Sequence, residues 1–310
     1  MDKTLSIIGK NQTTSLIRHL IFFACILCGS TQATALQQVI IVSDNENNHY
    51  KLLIDNILSE TRNTDIKVNT FNIGQTINII DNDSLVITLG HEASDFISLK
   101  KLTNPKLRVL TNSNVSTNFE NNSKPYLSMT QPACQQFALA QTINPDWKNF
   151  SVLLSTSNKA LTQNLEDCAK KLKLNLSIIL LDKYINIIDA LNSSLSDSDV
   201  MVALPDPTVY NKRTIKGILL TTYRHRVPII GFSEGFVRAG ALAAIHSTPE
   251  QLGKQIVELI HKRTNNQNLD KHLYPKYFDV ITNRNVARSL GIYLPNDKVI
   301  KEKLQYKNHE

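Results

Sequence analysis

An α/β protein of two parallel-sheet lobes is what this sequence predicts, on three observations. Between Gln37 and Thr282 short apolar runs that stop on turn residues alternate with segments of helical period, as strands and covering helices of a parallel sheet do. The alternation breaks once, at the polar stretch Asn112 to Lys124, and then resumes. At 310 residues the chain exceeds one α/β unit and suits two of about 130 residues each. The apolar content of 42% against 20% charged residues is that of a core-forming chain rather than a disordered one.

In the first half, the strand Gln37 to Asp44 is apolar enough to be central. The helix His49 to Thr61 carries Leu52, Leu53, Ile57 and Leu58 at helical spacing. Strands at Ile66 to Ile73 and Ser84 to Leu89 follow, the latter breaking at Gly90-His91-Glu92. The helix Glu92 to Lys101 and the strand Leu107 to Leu110 complete a βαβαβαβ series, the first lobe. The polar stretch 112 to 124 reads as a surface loop or the approach to a crossover, and Tyr126 to Gln131 as a short extended piece before Pro132, a favoured first helical residue.

The second half repeats the rhythm. The helix Pro132 to Ile143, strand Phe150 to Ser155, helix Lys159 to Leu172 and strand Leu176 to Leu181 are followed by the helix Ile185 to Leu195 and the strand Asp199 to Leu204. That strand stops at Pro205-Asp206-Pro207. The helix Asn211 to Arg226, with Ile215, Leu219, Thr222 and Tyr223 on one face, leads to the strand Val227 to Phe232, which stops at Ser233-Glu234-Gly235. Strand, helix and strand in about thirty residues make a parallel βαβ unit with both loops at the carboxyl ends, where open α/β sheets bind ligands. The helix Pro249 to Arg263 has Ser247 or Thr248 as its cap and Pro249 at its first position. A polar linker Asn265 to Asp270, a last strand Phe278 to Thr282 and a short helix Arg284 to Leu290 before Gly291 follow, the glycine matching a helix C′ position. The charged tail after Pro295 is expected to fray.

The segment PDPTVYN, followed by PIIGFSEGFVRAGALAAIHSTPEQLGKQ and later by DVITNRNVARSLGIYLP, resembles the periplasmic substrate-binding proteins of ABC transporters, in the family that includes tryptophan- and tyrosine-binding members. The resemblance is specific from Asp199 to Pro295 and thins to pattern between Val39 and Ser155. It implies a type I periplasmic binding protein, with two Rossmann-like lobes, a hinge and a ligand cleft between them. It also implies lobe boundaries: a first hinge at Leu127 to Gln131, a second lobe over residues 129–228, and a return to the first lobe with the strand Val227 to Gly231, so that residues 229–310 complete lobe 1.

The N-terminus carries Lys3, Lys10 and Arg18, an apolar run from Leu20 to Cys28 and Ala33-Thr34-Ala35. A basic region, a short apolar core and an A-x-A site predict a cleavable signal peptide over residues 1–35 and a periplasmic mature protein. The apolar run is too short to span a bilayer. Lipidation at Cys25 or Cys28 is disfavoured, because neither has small residues before it together with a leucine three positions upstream. Removing the segment takes away three cations and one anion from a net charge of +7. The modest positive remainder, spread along the chain, speaks for solubility and against nucleic acid as partner. The one local cluster, Tyr223-Arg224-His225-Arg226, sits where cations complement a helix dipole. Cys134 and Cys168 remain, on predicted helices flanking one strand. An oxidising compartment permits their disulfide, and two buried thiols are the alternative.

Candidate ligand contacts gather at the carboxyl ends of the strands. Asp206 and Glu234 end adjacent strands, and one carboxylate could pair with the ammonium of an amino-acid ligand; a turn or helix cap is the other reading of Asp206, while Glu234 also matches a cleft position of the family. Ser43, Gly90, Ser155 and Ser233 end their strands with small residues that let backbone N–H groups approach a carboxylate. Asp44 and His91 are further polar candidates, His91 with a helix-capping alternative, and Gln131 joins them at the first hinge. Tyr210 and Phe236 could form an aromatic wall, with core packing as the alternative. Gly240, in the small-residue run that follows, is read as structural.

No Walker A pattern and no G-x-G-x-x-G after a strand occur, which excludes an ATPase subunit and disfavours a dinucleotide enzyme. Gly231-Phe232-Ser233-Glu234-Gly235 matches G-x-S-x-G, yet the histidines that follow an Asp candidate are only His272, two residues after Asp270, and His309 in the tail, which disfavours a hydrolase triad. The eight histidines show no metal-ligand spacing. The expectation is a non-catalytic monomer, without cofactor or metal, that closes on a small organic solute, an amino acid in the family's manner, and delivers it to an inner-membrane ABC permease. The alternative partner is a membrane receptor, for which the protein would be a sensor subunit. A transcription regulator of the same fold is contradicted by the signal peptide and the missing DNA-binding helices.

Overall fold

The computed structural model describes residues 38–44, 47–77, 83–100, 102–110 and 125–307. The signal-peptide expectation for residues 1–35, the first residue of the strand expected from Gln37, and the polar loop at 112–124 lie outside the described residues. From the first strand on, the chain forms two six-stranded sheets.

The first sheet begins with β1 (Gln38–Ser43), α1 (Asn48–Thr61), β2 (Lys67–Asn72), β3 (Leu85–Leu89), α2 (His91–Leu99), β4 (Lys106–Leu110) and β5 (Tyr126–Ser128). The chain then builds α3 (Ala133–Ile143), β6 (Asn149–Leu154), α4 (Thr162–Leu172), β7 (Asn175–Leu180), α5 (Ile187–Ser194), β8 (Val200–Val202), α6 (Ile215–Arg224), β9 (Ile229–Gly231), α7 (Glu234–Ala239) and β10 (Ala243–His246). It continues through α8 (Pro249–Thr264), β11 (His272–Leu273), β12 (Asp279–Thr282), α9 (Arg284–Leu290) and α10 (Asp297–Lys307). Strand order is β11-β5-β4-β3-β1-β2 in the first sheet and β12-β10-β9-β8-β6-β7 in the second. Every pairing is parallel except β10 with β12. The predicted α/β class and two-lobe architecture are therefore present.

Continuous apolar strands are buried on both faces because alternate side chains serve different layers. In β1, Val39 and Ile41 meet Leu53 and Ile57 of α1 and Leu252 and Ile256 of α8, while Ile40 and Val42 meet Ala93 and Ile97 of α2. In the second sheet, Val152, Leu154 and Val202 pack with Phe137 of α3 and Leu165 of α4. Their neighbours Leu153 and Met201 pack with Leu191 of α5 and Ile218 of α6 on the other face.

Two expectations are corrected. The strand at 229–231 does not return to the first lobe: it pairs with β8 and β10 inside the second sheet. The helix α6 is the crossover that lets it lie parallel to β8, and its Ile229 and Ile230 fill opposite faces of that sheet. The return comes one strand later, after His246. There Thr248 accepts from the Gln251 N–H and Gln251 answers the Thr248 N–H, a capping box with Pro249 at the first helical turn, which starts α8 against α1. Residues 249–273 belong with the first sheet, and β12, α9 and α10 with the second. The tail after Pro295 is likewise no frayed end. Asn296 caps α10 through the Lys298 N–H at 2.9 Å, and Ile300 and Leu304 are buried in the core of the second lobe, each removing about 1.5–3 kcal/mol worth of apolar surface from water.

Candidate functional site

In both sheets the order reverses once, at β1/β3 and at β6/β8, and the crevice beyond the carboxyl ends at such a switch point is where doubly wound sheets hold ligands. Ser43 and Asp44 end β1 and Gly90 ends β3, so these candidates meet at the first switch point. Ser155 ends β6 and Asp206 follows β8, so these two meet at the second. Sequence order hides both juxtapositions.

At the first switch point Gly90 has φ +91°, and a Cβ there would lie 2.6 Å from Tyr50 Oη. Tyr50 therefore packs over the β3–α2 turn. Burial pushes its phenol pKa up, reinforced by the charges of Asp44 and Glu92. His91 opens α2 without serving as its cap; the N-cap position is Gly90. Gly90→Ala should displace Tyr50 and strain the backbone, lowering stability by about 1–3 kcal/mol. A denaturant melt would register this as a lower midpoint at unchanged slope.

At the second switch point Asp206 is buried and fully engaged. Its Oδ2 accepts from Ser155 N at 2.9 Å and Ser155 Oγ at 2.7 Å. Its Oδ1 accepts from Thr208 N at 3.0 Å and Val209 N at 3.3 Å. The capping and turn reading of Asp206 is the one the geometry supports, and Ser155 is its partner. Tyr210 and Phe236 pack edge to face at 5.5 Å within the core of the second lobe, beside Phe232. Burial pushes the Tyr210 phenol far above its usual range, with Asp206 adding to the shift. Ser233 Oγ accepts the Phe236 N–H at 3.2 Å and caps α7. Its extended backbone lacks the strained turn of a nucleophile elbow. Glu234 is exposed and bonds Arg238 at 2.5 Å. It also lies within electrostatic reach of His246, whose imidazole pKa burial pushes down while Asp279 and Glu234 act to raise it and His49 of α1 lowers it further.

Three segments join the two sheets: β5 to α3, β10 to α8, and β11 to β12. Gln131 stands in the first and ties all three together. Its Nε2 donates to Ser247 Oγ at 2.8 Å and to Pro275 O at 3.3 Å, and Ser247 Oγ donates to Tyr277 O at 2.7 Å. With the serine proton used on a carbonyl and Pro275 O able only to accept, the amide orientation is determined. Gln131 Oε1 is consequently left buried without a hydrogen-bond donor among the described residues. The third segment is held to α8: Gln255 Nε2 donates to Tyr274 O at 2.9 Å, Lys276 N donates to Gln255 Oε1 at 2.7 Å, and Glu258 bonds both Lys276 Nζ and Tyr277 Oη.

Beside this junction lies a cavity of about 360 Å³, within the range of pockets that hold small organic molecules. Gln131, Pro132 and Tyr274 line it from the crossing segments, Leu204 and Pro205 from the end of β8, and Leu161 and Leu165 from the start of α4. Asn164 and Asp167 add exposed polar groups, Asp167 Oδ1 accepting from Gln163. The Cys134–Cys168 disulfide, with Cα atoms 5.3 Å apart, forms part of the wall. Of the sequence candidates only Gln131 lines this cavity. Tyr274, Asn164 and Asp167 had no signal in the sequence: one sits between the linker ending at Asp270 and the strand expected from Phe278, in a stretch read as no element, and two on a helix face whose orientation follows from packing. Among the described residues no group of three or more His, Cys, Asp or Glu could hold a metal, and no helix is long and apolar enough to cross a membrane.

Residues 69–307 match the family model described as ABC transporter substrate binding protein, and the chain belongs to that family. Three solved structures are similar to it. The ligand-free, open structure of CD0873, a substrate binding protein with adhesive properties from Clostridium difficile, is 16% identical with a TM-score of 0.62, covering 84% of this chain and 97% of that one. The ABC domain in complex with L-Trp from Streptococcus pneumonia is 17% identical with a TM-score of 0.58, covering 85% and 98%. A conserved domain protein from Vibrio cholerae is 18% identical with a TM-score of 0.57, covering 86% and 98%. At these identities the likeness is one of fold, that of the type I periplasmic binding proteins. No curated protein matches the sequence.

Proposed function

We propose that the protein captures a small organic solute carrying an ammonium or other N–H donor in the cavity beside the crossing segments, and hands it to an ABC permease from the periplasm after export by the segment 1–35. The observation that carries this reading is Gln131 Oε1, a buried acceptor without a donor, in a residue that lines the cavity and bonds the other two crossing segments. A donor from the solute would satisfy it, and Asp167 at the cavity mouth would balance a cation. Leu161, Leu165, Leu204, Pro205 and Tyr274 suit an apolar side chain, and an amino acid combines these features. The first-lobe groups Ser43, Asp44, Tyr50, Gly90 and His91, with Glu234 of the second, form the opposing rim on which the lobes close, so that contacts made only in the closed state stabilise it. The protein is a binding component without catalysis of its own, with its lobes divided at 129–132, 247–248 and 274–278.

The test is a thermal-shift screen against amino acids, amines, small carboxylates and sugars. Solute at a hundred times its Kd stabilises by about 2.7 kcal/mol, a rise of roughly 4–5 °C for a protein of this size. Amino acids or amines should give the hits, and Asp167→Asn, at an exposed position that costs the fold little, should weaken them about tenfold. Shifts with sugars or carboxylates alone would overturn the ammonium reading.

A further inference from the structure

On the opposite face of the second sheet from the cavity, α5 and α6 leave a second groove of about 450 Å³, lined by Leu181, Ile185, Ile188, Arg213 and Gly217 among others. It opens at the same carboxyl edge, because Leu181–Lys183 follows β7 and Arg213 precedes α6 in the loop after β8. Ile185 is 91% exposed and Ile188 beside it is exposed too, as are Leu220 and Tyr223 on α6. An apolar cluster of this kind on a soluble protein marks an interaction surface. Arg213 lines the groove, and exposed cations outnumber acids on the segments that supply the lining: Lys183, Lys212, Arg213 and Lys216, with Arg224 further along α6, stand against Asp182 and Asp189, and Asp189 is engaged by the Ile185 N–H at 3.3 Å. Gly217, Leu220 and Arg224 share one stripe of α6 at three- and four-residue spacing, and Arg213 lies in the turn before the helix. Cations flanking an apolar notch favour an occupant with an apolar side chain between carboxylates.

Resting on the transport reading above, we propose that this groove is where the protein docks on its membrane partner, receiving an acidic loop of the permease that inserts an apolar residue against Ile185 and Ile188. Docking here leaves the cavity entrance on the other face of the sheet unobstructed. It also grips the lobe rim whose position changes when the lobes close, so the partner can distinguish closed from open protein.

Ile185→Asp and Arg213→Glu, separately and together, test the assignment at positions whose exposure spares the fold. Solute Kd is measured by calorimetry, and solute-dependent ATP hydrolysis with the cognate permease–ATPase complex in proteoliposomes. The double variant should keep its solute Kd within twofold and lose at least tenfold in stimulation, with Arg213→Glu alone showing an intermediate loss that high salt reproduces in the wild type. Unchanged stimulation in both single variants and the double variant would overturn the docking site while leaving the transport reading intact. A wild type that binds solute but never stimulates hydrolysis would overturn the transport reading and the docking site with it. A wild-type dimer by light scattering that Ile185→Asp dissociates would show the groove to be filled by a second copy, again overturning the proposal.

Discussion

Asp206→Ala should lower the stability of the protein by about 3–5 kcal/mol, seen as a lower denaturation midpoint. The carboxylate accepts three backbone N–H groups and one hydroxyl, and it joins the end of β6 to the turn after β8. Alanine leaves the Ser155 N–H buried without an acceptor, at about 1–3 kcal/mol before water enters, and removes the acceptor of the Thr208 N–H, while Val209 N keeps the Asp206 carbonyl and Ser155 Oγ keeps Ser157 Oγ; the lost side-chain turn bonds add about 0.5–2 kcal/mol. Asp206→Asn should recover only part of the loss, because its Oδ1 can still serve Thr208 and Val209 while its NH₂ faces the Ser155 donors. In the refolded fraction solute affinity should be close to that of the wild type. A variant of unchanged stability that no longer binds solute would reverse the assignment and make Asp206 a ligand contact.

Reducing the Cys134–Cys168 bond, or replacing both residues by serine, should cost about 3–4 kcal/mol. The bond closes a loop with a sequence separation of 34, and the loss of chain entropy in the unfolded state scales with that length. The expected fall in melting temperature is roughly 5–7 °C. The bond also ties α3 to α4 across the wall of the cavity, so solute affinity should fall along with stability. Melting curves with and without reductant, with thiols titrated to confirm reduction, decide the matter. A reduced protein that melts within about 2 °C of the oxidised one would refute the entropic account.

The pairing of these cysteines was open in the sequence because helices flanking a strand can lie on either face of a sheet. Packing decides it: both helices sit on the face where Phe137 and Leu165 meet Val152 and Leu154. The surroundings of Tyr210, Phe236 and Asp206 are set by the same kind of fact. A residue type at a strand end is compatible with ligand or core, and only neighbours such as Ser155 N or the Phe232 ring distinguish them. The strand β10 escaped notice because AAIH follows small residues without a turn signal. Its partner β12 pairs with it antiparallel, a contact between segments more than thirty residues apart.

By itself the sequence determined the α/β class, most helices and strands of both lobes though not β10, β11 or α10, the carboxyl-edge location of the polar candidates and, through the motifs from Asp199 to Pro295, the family. Those are properties of local period, turn chemistry and short motifs, which neighbouring residues specify. The tertiary structure alone decided where the chain returns between lobes, that Gln131 clasps three crossing segments, that Asp206 bonds Ser155 as well as its own turn, and that the cavity is lined by Tyr274 and Asp167. Each of these depends on which distant segments come into contact, and strand order, helix face and buried hydrogen bonding are set by the packing of the whole chain rather than by any stretch of it.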